Sequence, residues 1–137
     1  MKILDLAGYV RRKQKATDIS KQVQVPKLVQ AKVAAALIYE DRKEREDRPK
    51  MTDIYVQMLA AGLEAVESME RTTVAGYPLK DFAPVKHESA PILFIPEEIN
   101  DAVKRIQQRF PEVKSVVPII NRLIEIGCEL TPTKTVK

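Results

Sequence analysis

The sequence predicts a mainly α-helical fold built from two tandem strand-helix-helix (β-α-α) repeats that share a core within one chain. Two internal similarities predict it. Residues 22–33 return 70 positions later as residues 92–103, and in each copy a short β-type run meets a proline and becomes helical. Residues 54–64 return 65 positions later as residues 119–129. Because one strand and two helices bury too little apolar surface to be stable alone, we expect the copies to pair as an intramolecular dimer.

Composition divides the chain into five segments. The basic run Arg11-Arg12-Lys13-Gln14-Lys15 predicts a flexible arm before the first repeat. Gly76, Pro78 and Pro84 mark a linker between the repeats, and the threonine-rich end is expected to be disordered. The predicted segments are a flexible basic N-terminal arm at residues 1–19, repeat 1 at 20–68, a linker at 69–89, repeat 2 at 90–130 and a C-terminal tail at 131–137.

The first repeat opens with a predicted strand at residues 21–25, where polar and apolar residues alternate and Val23 and Val25 share one face. Pro26 ends this strand and can occupy the first turn of a helix, where its missing N–H costs nothing. An apolar stripe at helical spacing predicts the buried side of that helix: Val29, Val33 and Ala36 or Leu37.

The second helix of each repeat follows a variable connection. In the first repeat, residues 40–48 mix acids and bases at spacings of three and four, which predicts an exposed helical extension. Thr52 with Asp53 in the first copy and Ser115 in the second are candidate N-terminal caps. Apolar residues at helical spacing predict the buried sides: Ile54, Met58, Ala61 and Ala65 in the first copy, and Ile119, Leu123 and Ile126 in the second.

Composition also limits the function classes. With 45% hydrophobic and 31% charged residues the chain suits one compact core, and without a long apolar run or a secretory signal it is expected to be cytoplasmic, with no membrane partner. His87 and Cys128 are the single histidine and cysteine, and neither has an evident catalytic partner. We therefore expect no enzyme activity, no metal site and no cofactor. The net charge of +4 permits a polyanionic partner without demanding one.

Two motifs carry a resemblance to a known family. They are the strand-to-helix junctions Val23-Gln24-Val25-Pro26 and Leu93-Phe94-Ile95-Pro96, and the Ile-x-x-x-Met/Leu-x-x-x-Gly spacing that ends at Gly62 and Gly127. Both resemble the ribbon-helix-helix (Arc/MetJ-like) family of DNA-binding proteins. The tandem arrangement is similar to the single-chain form found among TraY-type relaxosome accessory proteins. The resemblance implies that the two strands pair antiparallel into a ribbon that enters the major groove of double-stranded DNA.

The resemblance also implies which residues contact DNA. Gln22 and Gln24 would read base edges from the outer face of the ribbon, since a Gln amide can pair bidentately with adenine. The N-terminus of each second helix would direct its amides at a backbone phosphate. The charge of the basic run, apart from the resemblance, indicates either an arm that lies on phosphates or in a minor groove, or a solvated charge run. The predicted phosphate contacts are Lys50, Met51 and Thr52; Lys114, Ser115 and Val116; and Arg11, Arg12, Lys13 and Lys15.

The second strand departs from this pattern. Ile92 and Phe94 stand where the first strand has Gln22 and Gln24, and the strand is apolar on both faces, as is usual for a strand covered on both sides. Ile92 and Phe94 either contact bases through thymine methyl groups, or are covered by the apolar segment at residues 3–6 or by another subunit.

The implied function is sequence-specific binding of double-stranded DNA, as a transcriptional regulator or as an accessory factor in plasmid transfer (conjugation) or partition. The alternative is a protein-interaction module, antitoxin-like or an adaptor, which binds a partner protein or another copy through the second strand. The apolar second strand favours this alternative, whereas Gln22, Gln24 and the basic run favour DNA. RNA binding lacks support, because no aromatic platform with interleaved charge is present.

Overall fold

The computed structural model describes residues 1–67, 73–74, 77–78, 90–111 and 113–137. Within them the chain is a small α/β protein with four α-helices and short antiparallel two-stranded sheets. The helices are α1 (Lys27–Ile38), α2 (Met51–Glu67), α3 (Glu97–Gln107) and α4 (Val117–Leu130). The strands are β1 (Lys2–Leu4), β2 (Ile19–Gln22), β3 (Thr73–Val74), β4 (Tyr77–Pro78), β5 (Ile92–Ile95) and β6 (Thr133–Thr135).

The strands that precede the two repeat prolines pair with each other. β2 and β5 are antiparallel, with Gln22 opposite Ile92 and Ser20 opposite Phe94. The sequence predicts the first strand at residues 21–25, but the observed strand begins two residues earlier and ends at Gln22. It ends there because the Gln24 N–H leaves the ladder and donates to a side chain of α4. β2 and β5 thus form a two-stranded ribbon between the two halves of the chain.

The second helices of the two repeats cross at the centre of the core, where α2 and α4 make the most extensive contact between elements. A Cβ at Gly62 would overlap the carbonyl of Leu123, and a Cβ at Gly127 would overlap the carbonyl of Met58. Gly62 and Gly127 are 65 positions apart, and so are Met58 and Leu123. The two contacts are therefore equivalent in the sequence repeat, and each helix meets the other with the same pair of positions. The predicted buried positions Ile54, Met58, Ile119, Leu123 and Ile126 are at most 2% exposed, whereas Ala61 and Ala65, also predicted to be buried, are half-buried.

The first helix ends earlier than the charge pattern predicts. The stripe of α1 is confirmed, since Val29, Val33 and Ala36 are buried. Residues 40–48, however, contain only a 3-10 turn and not the predicted helical extension. The reason is Arg42, whose guanidinium donates to backbone carbonyls of residues 7 and 9 and so holds this stretch as a loop against the N-terminal residues.

Both ends of the chain are packed, in contrast to the predicted flexible arm and disordered tail. β1 and β6 form an antiparallel pair, and β1 lies against α1. Leu4 and Leu6 are 5% and 1% exposed and belong to the main core. Burial of these leucines holds residues 1–18, the N-terminal segment, against the protein. The C-terminal tail is ordered because it supplies β6, the partner strand of β1.

The predicted linker at residues 69–89 lies outside the described residues, apart from the backbones of β3 and β4, which pair antiparallel. His87 also lies outside them.

Candidate nucleic-acid interface

The outer face of the β2–β5 ribbon carries four exposed side chains in a two-by-two arrangement. Strand alternation turns the other residues of β5 into the core. Ser20 and Gln22 are exposed on one strand, and Ile92 and Phe94, on the other, are 50% and 37% exposed. The residues predicted to read bases therefore share one surface, with half-buried Gln24 at its end.

The apolar pair on this face is not covered by the N-terminal apolar segment. Residues 3–6 pack against α1 and in the core instead. Residues 3–6 therefore do not cover Ile92 and Phe94. Of the two protein groups predicted to cover them, the one that is left is another subunit. The two side chains present an apolar surface outward, beside the polar surface of β2.

A groove of about 250 Å³ runs from the outer face of β5 to the start of α2. We call it the Phe94 groove, and its lining residues are Arg12, Gln14, Lys50, Thr52, Asp53, Val56, Ile92 and Phe94. Its one acid, Asp53, is 8% exposed, and its carboxylate accepts the Lys50 N–H at 2.8 Å. The described lining of the groove therefore combines apolar side chains with two cations and one carboxylate.

A second groove, of about 420 Å³, runs from the outer face of β2 to the start of α4. We call it the Gln24 groove, and its lining residues are Gln22, Gln24, Ala90, Ser115, Val117, Pro118 and Asn121. The residues of this lining that the structure describes carry amides and a hydroxyl but no charged group. Each groove thus joins the strand of one repeat to the second helix of the other, as reciprocal pairing requires.

Asn121 fixes the end of β2. Its side chain is 4% exposed, and its Oδ1 accepts the Gln24 N–H at 3.1 Å. The equivalent residue in the first repeat, 65 positions earlier, is Val56, which lines the Phe94 groove and has no such group. The two grooves therefore differ in chemistry at their helices as well as at their strands.

The two helix N-termini offer unequal sites for an anion. In α2 the Asp53 carboxylate, and not Thr52, caps the helix by accepting the Lys50 N–H. The amides of Met51 and Thr52 lie in the first turn and therefore have no partner inside the helix. In α4 the Val117 N–H donates to Ser115 Oγ at 3.3 Å, and the proline in the first turn has no N–H. The start of α2 is therefore the better donor to an anion.

The predicted phosphate contacts near α4 differ in exposure. Lys114 and Ser115 are exposed, whereas Val116 is 9% exposed and belongs to the core. At α2, Lys50 is exposed and Met51 and Thr52 are half-buried. The side chains that can reach an external anion are therefore those of the two lysines, with the hydroxyls of Ser115 and Thr52 beside them.

Arg12 ties the N-terminal segment to the ribbon. Its Nη1 donates to the Phe94 carbonyl oxygen at 2.8 Å, and its Nη2 lies 3.3 Å from Asp18 Oδ2. The Asp18 carboxylate also accepts the Lys15 N–H at 3.1 Å. These contacts close residues 12–18 into a loop at the end of the ribbon, beside the Phe94 groove.

The other basic residues of this segment divide into two kinds. Arg11 Nη1 donates at 3.2 Å to two backbone carbonyls of the 3-10 turn, so it faces away from the ribbon. Lys13 and Lys15 are exposed on the loop. Of the four predicted phosphate contacts in the run, the two arginines are hydrogen-bonded to backbone carbonyls, and the two lysines are exposed on the loop.

Among the described residues, the thiol of Cys128 is buried in the core. Cys128 is 3% exposed, and burial raises the pKa of its thiol, which keeps it protonated and unreactive. Tyr9 Oη lies 2.7 Å from Thr131 Oγ1. In the described parts of the chain no group of three or more His, Cys, Asp or Glu side chains could hold a metal ion, and none of the described helices is long and apolar enough to span a membrane.

Sequence reasoning missed Ser20 and Asn121. Ser20 could have been found by extending the polar-apolar alternation of the first strand back by two residues, to Ile19 and Ser20. Asn121 has a signal too, since it interrupts the apolar stripe of a helix, but its partner, the backbone of Gln24, is 97 residues away and has no sequence signature.

Comparison with known proteins found no relative: no family model, no curated protein and no solved structure matches the chain.

Proposed function

We propose that the chain is a ribbon-helix-helix pseudodimer that binds double-stranded DNA sequence-specifically through the β2–β5 ribbon. The observation that carries the proposal is the exposed outer face of two paired antiparallel strands, flanked on each side by a groove that leads to a helix N-terminus. The major groove of B-DNA, about 12 Å wide, admits a two-stranded β-ribbon. Helix N-termini on both sides suit the phosphates that border that groove.

Gln22 is the principal base-reading residue in this proposal. Gln22 and Ile92 are equivalent in the sequence repeat and also lie opposite each other in the ribbon, so the pseudo-twofold axis passes between them. A side chain on that axis reaches the middle of the bound site. Gln24, whose backbone Asn121 holds, would read a base farther along the same strand.

Phosphate contacts would come from both flanks. Lys50, Met51 and Thr52 at the start of α2 face one DNA strand, and Lys114, Ser115 and Val116 at the start of α4 face the other. Val116 would contribute its amide alone, because its side chain is buried. Since the α4 terminus has fewer amides to offer, the α2 side would bind its phosphate more tightly.

The cellular role that suits this binding is transcriptional regulation, or an accessory part in plasmid transfer or partition. Each of these roles works through occupancy of a DNA site and requires no catalytic residue. The unlike outer faces of β2 and β5 imply that one chain recognises an asymmetric site, whereas a homodimer of identical strands would favour a palindrome.

The test compares the wild type with the double variant Gln22→Ala, Gln24→Ala. A preferred duplex is selected from random sequences, and affinities for the selected and a random duplex are measured over a series of salt concentrations. We expect the variant to lose about 1 to 3 kcal/mol per bidentate pair on the selected duplex and nothing on the random one. Gln108→Ala, an exposed glutamine after α3, is the matched control.

Two results would contradict the proposal at different levels. Equal losses on both duplexes would remove the glutamines from base reading. No binding to any duplex at low salt would remove DNA from the function altogether.

A second candidate function, protein interaction, is favoured by the outer face of α1. Leu28 and Ile38 are 65% and 78% exposed there, and Ala31 and Ala34 are exposed between them. The equivalent positions of α3 are charged or polar: Glu98, Asp101, Lys104 and Gln108. A helix that is apolar all round is usually covered.

This candidate is tested by giving α1 the surface of α3, with Leu28→Glu and Ile38→Gln. Sedimentation measures self-association, and DNA affinity is measured on the same sample. Loss of self-association with unchanged DNA affinity would assign α1 to a protein contact.

A further inference from the structure

We propose that the Phe94 groove recognises the 5-methyl groups of pyrimidines in the major groove of DNA, in thymine and in 5-methylcytosine alike. The inference rests on the proposed DNA-binding function and names the chemistry that the β5 half of the ribbon would recognise. The β2 half, with Ser20 and Gln22, would read hydrogen-bonding base edges, and the β5 half would read methyl groups.

The exposure of Ile92 and Phe94 is the first observation. Two large apolar side chains, 50% and 37% exposed, stand next to each other on the outer face of β5. Being two residues apart on a strand, they are separated by about 7 Å along it. That distance is about two base-pair steps of 3.4 Å, so each side chain can meet a different base.

Charge decides what kind of molecule covers these side chains. Among the described residues the same groove is lined by Arg12, Lys50 and Asp53: the Arg12 guanidinium is paired with Asp18, the Asp53 carboxylate accepts the Lys50 N–H, and the Lys50 side chain is exposed at the start of α2. An occupant that is apolar where it meets Ile92 and Phe94, and that carries an anionic group near the Lys50 ammonium and the Met51 and Thr52 amides, fits this surface. Duplex DNA meets both requirements, because thymine methyl groups in the major groove are bordered by phosphates.

The register of the ribbon supports a methyl group next to a hydrogen-bonding base edge. Gln22 lies opposite Ile92, and Ser20 lies opposite Phe94, so each apolar side chain has a polar neighbour roughly 5 Å away across the ribbon. An A·T base pair presents adenine N6 and N7 and the thymine methyl group on the same major-groove edge. The Gln22–Ile92 pair is complementary to that combination.

Cytosine methylation follows from the same chemistry. A methyl group on C5 of cytosine occupies the position of the thymine methyl group in the major groove, and Ile92 and Phe94 have no hydrogen-bonding group with which to distinguish the two bases. Methylated sites would therefore be bound more tightly than unmethylated ones wherever a cytosine faces the Phe94 groove.

The test changes single methyl groups on the DNA. Starting from the selected duplex, each thymine is replaced in turn by deoxyuridine, and each cytosine in turn by 5-methylcytosine. We expect one or two thymines whose replacement weakens wild-type binding about fourfold, the value of one buried methyl group, and a similar gain from methylation of a cytosine in the same half. Because these changes leave the protein untouched, its folding does not enter the result.

Protein variants assign the response to the groove. Ile92→Ala should abolish the response to at least one methyl group, whereas Leu130→Ala, at a similarly exposed (57%) apolar side chain at the end of α4, should keep it. Binding to the selected duplex that is indifferent to every methyl change would overturn the inference and leave the DNA-binding function standing. A protein that binds no duplex would overturn both. Self-association lost in Ile92→Ala, with an unchanged methyl response, would make the face a protein interface and overturn the inference.

Discussion

At the scale of single residues, two glycines allow the halves of the molecule to meet. Gly62 and Gly127 stand where α2 and α4 come closest, and each faces the backbone of the other helix. A backbone carbonyl cannot rotate aside as a side chain can, so a methyl group at either position must push the helices apart. The same two glycines end the repeated helical motif in the sequence, so the last positions of that motif are the positions at which the two helices touch.

Gly62→Ala should therefore lower the free energy of unfolding by about 3 kcal/mol, the upper part of the range for overpacked cores. Gly8→Ala is the matched control, because a Cβ at Gly8 would have no atom within 4 Å, and it should change stability by less than about 0.5 kcal/mol. Urea unfolding followed by circular dichroism measures both variants. Equal stability of the two variants would mean that the helices do not cross at Gly62.

A second residue-scale property is the response of stability to alkaline pH. Burial, with a smaller contribution from the charge of Cys128, raises the pKa of Tyr55 from 10.0 to about 12. Between these values the unfolded chain releases the Tyr55 proton and the folded chain keeps it. The stabilisation is therefore complete below pH 10 and is lost as the pH rises towards 12.

Tyr55→Phe should make the free energy of unfolding fall less steeply from pH 10 to 12 than it does in the wild type. Urea unfolding at a series of pH values gives both slopes. The comparison concerns the slopes, so a constant difference in stability caused by the lost hydroxyl does not affect it. Identical slopes would show that the Tyr55 hydroxyl is accessible to water in the folded state.

At the scale of elements, local patterns predicted the helices well and the ends of the chain poorly. The apolar stripes of α1 and α4, and the first half of the stripe of α2, are confirmed because helical spacing can be recognised within about a dozen neighbouring residues. The pairing of β1 with β6 joins residues 2–4 to residues 133–135, through strands too short to show alternation. The basic run predicts a free arm for the same reason, since the partners of its arginines include distant backbone carbonyls that no local pattern indicates.

The sequence predicts many residues of the candidate site but not how these residues are arranged in space. Strand alternation placed Gln22 on the outer face, but no local pattern indicated that Ser115 and Asn121 share a groove with it. The contacts that decide this arrangement are again distant in sequence. The same holds for Arg12 and Lys50, which lie in one groove only because the ribbon brings the two repeats together.

The loop at residues 12–18 yields a prediction about salt. The guanidinium groups of both arginines of the run are hydrogen-bonded to protein carbonyls, so we expect Lys13 and Lys15 to make the phosphate contacts of this loop. Lys13→Ala with Lys15→Ala should reduce the slope of log affinity against log salt concentration by about two contacts, equally for selected and random duplexes. A free arm would contribute about four. An unchanged slope would separate this loop from DNA binding.

At the scale of the whole molecule, the two repeats share a scaffold but have different surfaces. In the core the two repeats make equivalent contacts: β2 pairs with β5, and α2 and α4 cross reciprocally. The outer faces differ at equivalent positions, with Gln22 against Ile92 on the strands and Leu28 against Glu98 on the first helices. A tandem chain allows this difference, because each copy is free to change its surface while the shared interior is kept.

The shared interior predicts that the chain unfolds as one unit. Val25 is fully buried where β2 enters α1, and its neighbours in the core come from both repeats. Val25→Asp places an unpaired carboxylate there and should cost more than about 4 kcal/mol, a large part of the roughly 5 to 15 kcal/mol that stabilises a typical domain. Val10→Asp, at a side chain that is 58% exposed, is the control and should leave stability nearly unchanged.

Hydrogen exchange distinguishes this expectation from independent halves, because it reports on α2 and α4 separately. If the core is shared, Val25→Asp lowers the protection of amides in α4 as much as that of amides in α2, since neither helix can keep its buried face without the other. Protection retained in α4 alone would show that the second repeat is stable by itself. The reciprocal glycine contacts make that outcome physically costly, because α4 would then expose to water the backbone face that it presents to Met58.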